Sequence, residues 1–403
     1  MDAGQRHAYS VQYYLLRQAA GARGILASWE KPMKRVLITA ALVILLIIGL
    51  LLLPPVRARL IALTLPDHPD WPAPQDQLQP GTEGPVYYAT TSPYDLEIIL
   101  GNMALSRPTT GKGFLSYPQQ ASTDNPVPAM VIVPGSGGIT PGREHEYAAW
   151  FNQRGIAAFV VEYYEPRGFS RDANYVIRTS SVTEFDLIAD AYAALKLLQT
   201  SASIDSRRIG IIGFSYGGMA ARLAMDRRIH QALAPDAYPF NLHIDAYGPC
   251  YQDLQSDNVG DAPLLTLRGT EDASNDLVAC RQREDALRAL GTEVTAHLYE
   301  GAGHAWEASV PRFFSEDSPY LAGCELVYDD NGRPLLNGEY LNEYTADASH
   351  AEKMLSRFTS APKFKDCVGF GYIVGFDEPV RDRAYADIEA FLEQYWGPLG
   401  VGP

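Results

Sequence analysis

Three residues of this chain have the types and order needed to break an acyl bond. Ser215 is the centre of Gly213-Phe214-Ser215-Tyr216-Gly217, a Gly-x-Ser-x-Gly pattern. A serine hydroxyl is a weak nucleophile, so it needs a base for its proton and a carboxylate to orient that base. His304 ends the run Leu298-Tyr299-Glu300-Gly301-Ala302-Gly303-His304 and is the candidate base. Asp272 ends the run from Pro263 through Arg268-Gly269-Thr270-Glu271 and is the candidate acid. Glu271 is its rival, one residue nearer the strand, and an Asp in this place often only caps the next helix. Acyl transfer also needs amides aimed at the developing oxyanion. The amide of Tyr216 is one candidate. The other lies in Pro134-Gly135-Ser136-Gly137-Gly138, with Ser136 first and Gly137 next. Three further residues are candidates for a substrate pocket. Tyr163 and Arg167 lie in Glu162-Tyr163-Tyr164-Glu165-Pro166-Arg167-Gly168; Arg167 either holds a substrate carboxylate in bidentate fashion or makes an internal salt bridge. Trp306, two residues after His304, either lines the pocket or packs. His145, His243 and His350 lack a comparable setting. This chemistry calls for no cofactor and no metal.

These residues have to be carried by strands. Arg208–Gly213 is a β-branched run that reads as a buried strand, and the residues after Ser215 read as a helix. Glycines on both sides of Ser215 allow the sharp turn that would expose its hydroxyl. Val86–Thr90, Asp95–Leu100, Ala129–Val133, Ala157–Val161, His243–Tyr247, Pro263–Leu267 and Glu293–Tyr299 also read as strands. Helices are expected near Glu144–Arg154, Thr183–Gln199, Asn275–Leu290 and Ala384–Tyr395. This alternation predicts an α/β fold with a mainly parallel sheet and helices on both faces. Ligands in such sheets bind beyond the carboxyl ends of the strands, where all three candidates fall. Residues 307–380 break the rhythm and read as an insertion in the 85–403 domain, either a lid or an inert excursion.

Val36 to Leu53 is eighteen residues without a charge, long enough to span a bilayer with help from its flanks. Residues 1–35 form a positively charged segment before it, which places the N-terminus in the cytoplasm and the body across the membrane, in the periplasm of a bacterium. Met33 is an alternative start, and a cleaved signal peptide is the competing reading, although no small-x-small cleavage pattern follows. Residues 54–84 are rich in proline and read as a semi-extended tether. The first 59 residues hold eight Lys/Arg and two Asp/Glu, a balance of +6 within a total of −15, so the remainder carries −21. An acidic body argues against nucleic-acid binding, which needs a basic footprint. Cys250, Cys280, Cys324 and Cys367 allow three full pairings, and their spacing is wrong for a zinc knuckle.

Together these motifs resemble the dienelactone hydrolase family of the α/β-hydrolases. The likeness covers roughly residues 125–306 and the last helix. It rests on Pro-Gly-Ser-Gly-Gly, on Arg154 to Glu162 with Pro166-Arg167-Gly168, on Gly-Phe-Ser-Tyr-Gly-Gly, on Gly269-x-x-Asp272 and on Gly301-x-x-His304. The resemblance implies an α/β-hydrolase fold, Asp272 as the acid, and a Cys250–Cys280 disulfide, with Cys324–Cys367 following. The enzymes that name the family use a cysteine nucleophile where this chain has Ser215. The expected activity is therefore hydrolysis of a small-molecule carboxylic ester, thioester or lactone through an acyl-enzyme. The alternatives are acyl transfer by the same triad, or a silent α/β-hydrolase fold used as a binding module.

Overall fold

The structure, a computed structural model, describes residues 35–400 apart from residue 343. The expected N-terminal cytoplasmic segment lies, as far as residue 34, outside the described residues. The chain divides into two compact units, residues 1–63 and 64–403.

In the first unit, helix α1 (Arg35–Leu52) is long and apolar enough to cross a membrane by length and composition, and none of it is buried. Its eighteen residues rise about 27 Å at 1.5 Å per residue. Helix α2 (Pro54–Ala62) departs from the extended reading of this stretch. Its prolines occupy the first helical turn, where a missing N–H leaves no bond unmade.

The second unit begins with an irregular stretch and then β1 (Gly84–Ser92), α3 (Leu96–Gly101), β2 (Arg107–Ser116) and β3 (Val127–Val133). The expected strand at Asp95–Leu100 is thus a helix. Asp95 holds the N-cap position, and Leu96, Ile98 and Ile99 turn one face inward. There follow α4 (Glu144–Gln153), β4 (Ala157–Glu162), α5 (Tyr175–Ser181), α6 (Glu184–Leu198), β5 (Ile204–Phe214), α7 (Tyr216–Leu223) and α8 (Arg227–Leu233). Next are β6 (His243–Ala246), β7 (Gln252–Asp253), β8 (Leu264–Gly269), α9 (Leu277–Ala289) and β9 (Val294–Tyr299). Beyond them lie β10 (Phe313–Tyr320), β11 (Leu326–Tyr328), β12 (Pro334–Leu336), β13 (Glu339–Tyr340), α10 (His350–Ser360), β14 (Gly369–Val374) and the closing helix α11 (Glu378–Trp396).

The main sheet has the order β1-β2-β4-β3-β5-β6-β8-β9. Only β2 runs against its neighbours; β4 through β9 are parallel. Side chains of a strand alternate between faces, and the cores follow that period. Val127, Ala129, Val131 and Val133 of β3 join the core under α6 and α7. Met130 and Ile132 join the opposite core under α4 and α11. With both faces covered, β3 and β4 are buried throughout, which is why they read as unbroken apolar runs. This is the expected mainly parallel α/β arrangement.

Two smaller sheets stand apart from it. β10 pairs with β14, and β13-β12-β11 joins β7. Both expected disulfides are formed. Cys250–Cys280 ties the loop after β6 to α9, and Cys324–Cys367 closes the segment between β10 and β14.

Candidate active site

Ser215 sits between β5 and α7 with φ 56° and ψ −118°, a strained conformation for a residue with a side chain. Close packing enforces it. A Cβ on Gly213 would lie 1.9 Å from the Gly217 carbonyl oxygen, and one on Gly217 would lie 2.4 Å from that of Val133. Backbone therefore meets backbone on both sides of the serine. Its own amide donates to Ala246 O at 2.9 Å, pinning the turn to β6.

His304 follows β9 and is buried. Its backbone is bonded on both sides: its amide donates to Ile373 O at 2.7 Å, and its carbonyl accepts from Gly375 N at 3.0 Å. Its ring lies edge-on between Tyr247 and Tyr372, with centroids 4.8 and 5.4 Å away. Nε2 is 2.9 Å from Ser215 Oγ, and Nδ1 is 2.6 Å from Asp272 Oδ2. A carboxylate beside Nδ1 selects the tautomer protonated there, which leaves the Nε2 lone pair for the serine hydroxyl.

Asp272 lies in the turn after β8. Besides His304 it accepts from Ser274 N at 3.0 Å, Ser274 Oγ at 2.5 Å and Asn275 Nδ2 at 2.7 Å. Burial alone raises its carboxyl, but the His304 imidazole and the Ser274 hydroxyl and amide outweigh burial and hold it below 3.8. Asn275 is itself set by Arg268, whose Nη1 donates to Asn275 Oδ1 at 2.9 Å. Arg268 in turn pairs with Asp245 and Glu284 in a buried cluster. Glu271 turns away to a surface pair with Arg312.

The loop after β3 meets the serine directly: a Cβ on Gly135 would be 3.3 Å from that of Ser215. Its carbonyls are tied inward. Gly135 O accepts from Tyr163 Oη at 3.0 Å, and Ser136 O accepts from Tyr164 Oη at 2.9 Å and Arg178 Nη2 at 3.5 Å. In a trans peptide the N–H points opposite to the preceding C=O. The amides of Ser136 and Gly137 therefore face away from the two tyrosines. Among the described residues neither amide, nor that of Tyr216, has a protein acceptor.

The structure thus brings Ser215, His304 and Asp272 into one hydrogen-bonded chain, with the Ser136 loop against it. The three suggested pocket residues are not at its mouth. Tyr163 is buried under the Ser136 loop, and Trp306 is buried between the rings of Tyr247 and Tyr299. Arg167 is buried in a two-pronged pair with Asp190 at 2.7 and 3.1 Å. Ser274, Asn275, Tyr164, Arg178 and Tyr372 are the contributors that sequence reasoning passed over. Ser274 and Asn275 lie within the acid's own turn, so that turn was a usable signal. Tyr372 is 68 residues after His304 and carries no motif. Among the described residues no three His, Cys, Asp or Glu gather as a metal site requires.

Chemically, this arrangement can deprotonate a serine, stabilise an imidazolium and receive an oxyanion. Residues 112–331, more than half of the chain, match the model of the dienelactone hydrolase family. The probable 2-oxo-3-(5-oxofuran-2-ylidene)propanoate lactonase of a Bradyrhizobium species is 23% identical over 211 residues, covering 49% of this chain and 81% of that protein. The thiohydrolase apmlB of Arthrinium phaeospermum is 30% identical over 131 residues, 32% of this chain and 41% of that protein. Among solved structures, propionate-bound esterase 2 of Thermogutta terrifontis aligns with a TM-score of 0.39 at 18% identity, covering 49% of this chain and 80% of that one. A putative dienelactone hydrolase of Klebsiella pneumoniae aligns at 0.38 and 21% identity, covering 55% and 88%. With more than half of its length matched by the family model, the chain belongs to the dienelactone hydrolase family and is an ester-type hydrolase with an α/β-hydrolase fold.

Proposed function

We propose that the protein hydrolyses a small-molecule carboxylic ester, thioester or lactone through an acyl-enzyme on Ser215. The observation that carries this is the continuous chain from Ser215 Oγ through His304 to Asp272, at 2.9 and 2.6 Å. Ser215 Oγ attacks the acyl carbon as its proton passes to His304 Nε2. Asp272 stabilises the imidazolium, and the amides of Tyr216 and Ser136, with Gly137 beside them, receive the oxyanion. The C–O or C–S bond breaks as His304 returns the proton to the leaving group. Water then attacks the acyl-enzyme, gives a proton to His304, and the acid leaves with Ser215 restored. Relatives named as a lactonase and a thiohydrolase support this range of substrates. A fluorophosphonate probe should label the wild type and not Ser215→Ala. Equal labelling of both would remove the assignment, and an ester, thioester and lactone panel on the active protein then fixes the bond type.

We further propose that α1 is an uncleaved anchor and that residues 64–403 work on the far side of the membrane, in the periplasm. Its length, the positive charge before it and two disulfides, which persist in oxidising compartments, support this placement. The protein should stay in the membrane pellet after alkaline extraction and be cut by protease added to spheroplasts. Recovery in the soluble fraction, or protection from the protease, would refute it.

A further inference from the structure

Away from Ser215, a cavity of about 290 Å³ opens between the stretch preceding β1, the turn after β1 and the start of α10. We propose that it binds the phosphate or carboxylate group of a small organic anion. The site lies beyond the proposed hydrolysis and does not depend on it, since Ser215, Asp272, His304 and Ser136 take no part in its wall.

Its volume is at the lower end of small-molecule sites, roughly 300 Å³ upward, so it suits an oxyanion with a short body. Its walls come from three parts of the chain: His68 before β1, Tyr94, Arg107 and Arg167 around the sheet edge, and His350 and Lys353 on α10. The Asp67 carbonyl and Pro66 sit tightly on Gly168, and the His350 ring stands edge-on to Tyr94, 5.1 Å between centroids. The wall is therefore built rather than a chance gap.

The charges favour an anion. One carboxylate, Asp186, belongs to the wall itself, and it and its neighbours are already engaged. Asp190 is held by Arg167, and Asp95 by Lys353 at 2.9 Å. Asp186 accepts the amides of Tyr94 and Thr183, each at 2.9 Å. Asp67 is the remaining acid near His68. Arg107 is exposed, and among the described residues its guanidinium has neither a carboxylate nor a hydrogen-bond partner. Burial first, then Arg107, lowers both His68 and His350 to about 4; Arg167 adds to both, and Lys353 to His350. Only Asp67 opposes this at His68. Both rings are thus neutral near pH 7, and each offers one N–H. A free guanidinium with two such donors matches a tetrahedral or planar oxyanion.

The shared chemistry can come from a soluble phosphate ester or from a lipid headgroup. The test titrates full-length protein in neutral detergent, at constant ionic strength, with inorganic phosphate and separately with short-chain phosphatidylglycerol. Saturable binding by wild type and Ser215→Ala is expected, weakened at least tenfold in Arg107→Gln and in His350→Gln. The two imidazoles should also titrate higher when the anion is bound. Phosphate binding with that pattern identifies a soluble source; binding of the lipid alone with that pattern identifies a headgroup. Binding of neither, or binding unchanged by both substitutions, overturns the proposal. Fluorophosphonate labelling of Ser215 stays intact in either case, so the two readings fail separately.

Discussion

Asp272→Asn, compared with Glu271→Gln, tests the reasoning about the acid most sharply. Every partner of the Asp272 carboxylate offers a hydrogen: His304 Nδ1, Ser274 N, Ser274 Oγ and Asn275 Nδ2. An asparagine keeps the shape but replaces one oxygen with an NH2, which then meets a donor whichever way the amide is turned. It also removes the charge that stabilises the imidazolium. In a serine protease triad the same change costs about 10⁴ in kcat, roughly 5.4 kcal/mol at 1.36 kcal/mol per decade. Here Ser274 Oγ stands 3.1 Å from His304 Nδ1 and can accept the hydrogen bond of its N–H. A neutral hydrogen bond of about 1 kcal/mol recovers roughly fivefold, so the expected loss is about 2 × 10³. Adding Ser274→Ala should deepen it toward 10⁴. Glu271 is 47% exposed and bound only at the surface to Arg312, a pair worth at most about 1 kcal/mol, so Glu271→Gln should stay within about fivefold of wild type. Steady-state hydrolysis of p-nitrophenyl acetate and the rate of fluorophosphonate labelling give both numbers. More than a tenth of wild-type activity in Asp272→Asn, or a collapse in Glu271→Gln, would refute the assignment. The pH dependence adds a check. The carboxyl is held below its ordinary 3.8, so its contribution to stability is complete above that pH and is lost as pH falls through the folded value. The carboxyl's own share of the stability gap between wild type and Asp272→Asn should therefore be lost only below about pH 4.

Tyr164→Phe should lower kcat about fivefold with KM unchanged, because Ser136 O then keeps only the 3.5 Å contact to Arg178. Tyr163→Phe should cost less, since Gly135 O retains the Gly138 amide at 2.9 Å; a KM effect without a kcat effect would count against the loop argument. Gly213→Ala forces a Cβ to within 1.9 Å of the Gly217 oxygen and should destabilise the fold by about 2 kcal/mol or more while abolishing probe labelling, as read by denaturant melts and gel fluorescence. Cys250→Ala with Cys280→Ala opens a 30-residue loop and should cost about 3–4 kcal/mol of stability; an unchanged melting temperature would contradict this.

What could be read from the sequence follows what shapes each residue's surroundings. Ser215, Asp272 and His304 each stand just past an apolar strand, and the parallel sheet delivers all three strand ends to one edge, so their order along the chain already carried the geometry. Strand β2 carried no such signal. Its buried positions include Gly111 and Gly113, where Tyr88 and Phe159 rings from the neighbouring strands occupy the space a side chain would fill. Of the buried half of the alternation only Leu115 is a large apolar residue; the rest of the space is filled by side chains of the neighbouring strands. The short run Leu96–Gly101 fits strand and helix alike, and packing decides it: as a helix it buries Leu96, Ile98 and Ile99. Tyr163, Arg167 and Trp306 stand beside motif residues, yet each side chain points into the fold. A position next to a motif gives the address of the backbone and leaves the direction of the side chain to packing.

The segment between His304 and α11 gains a role from the same geometry. β14 bonds to the His304 backbone from both sides, Tyr372 packs on its ring, and Asp377 N returns to Trp306 O at 3.0 Å. β10 runs along β14, and the Cys324–Cys367 bridge closes the excursion between them. Lifting β14 as a lid would therefore break the bonds at His304 N and O and free the imidazole from Ser215. A lid needs contacts that open at small cost, and these hold a residue whose ring must stay within hydrogen-bond reach of two partners. Within 307–380, the stretch from Tyr372 to Asp377 is therefore fixed against His304 and Trp306. On the other side of the site, α5 is tied in as well. Its Tyr175, Val176 and Ile177 are exposed and Tyr175 Oη lies 2.9 Å from Ser136 Oγ, but Arg178 and Ser181 are buried, Arg178 Nη2 donates to Ser136 O at 3.5 Å, and Ser180 O accepts from Tyr94 Oη at 2.8 Å. Moving α5 would therefore pull on the Ser136 loop that lies against Ser215.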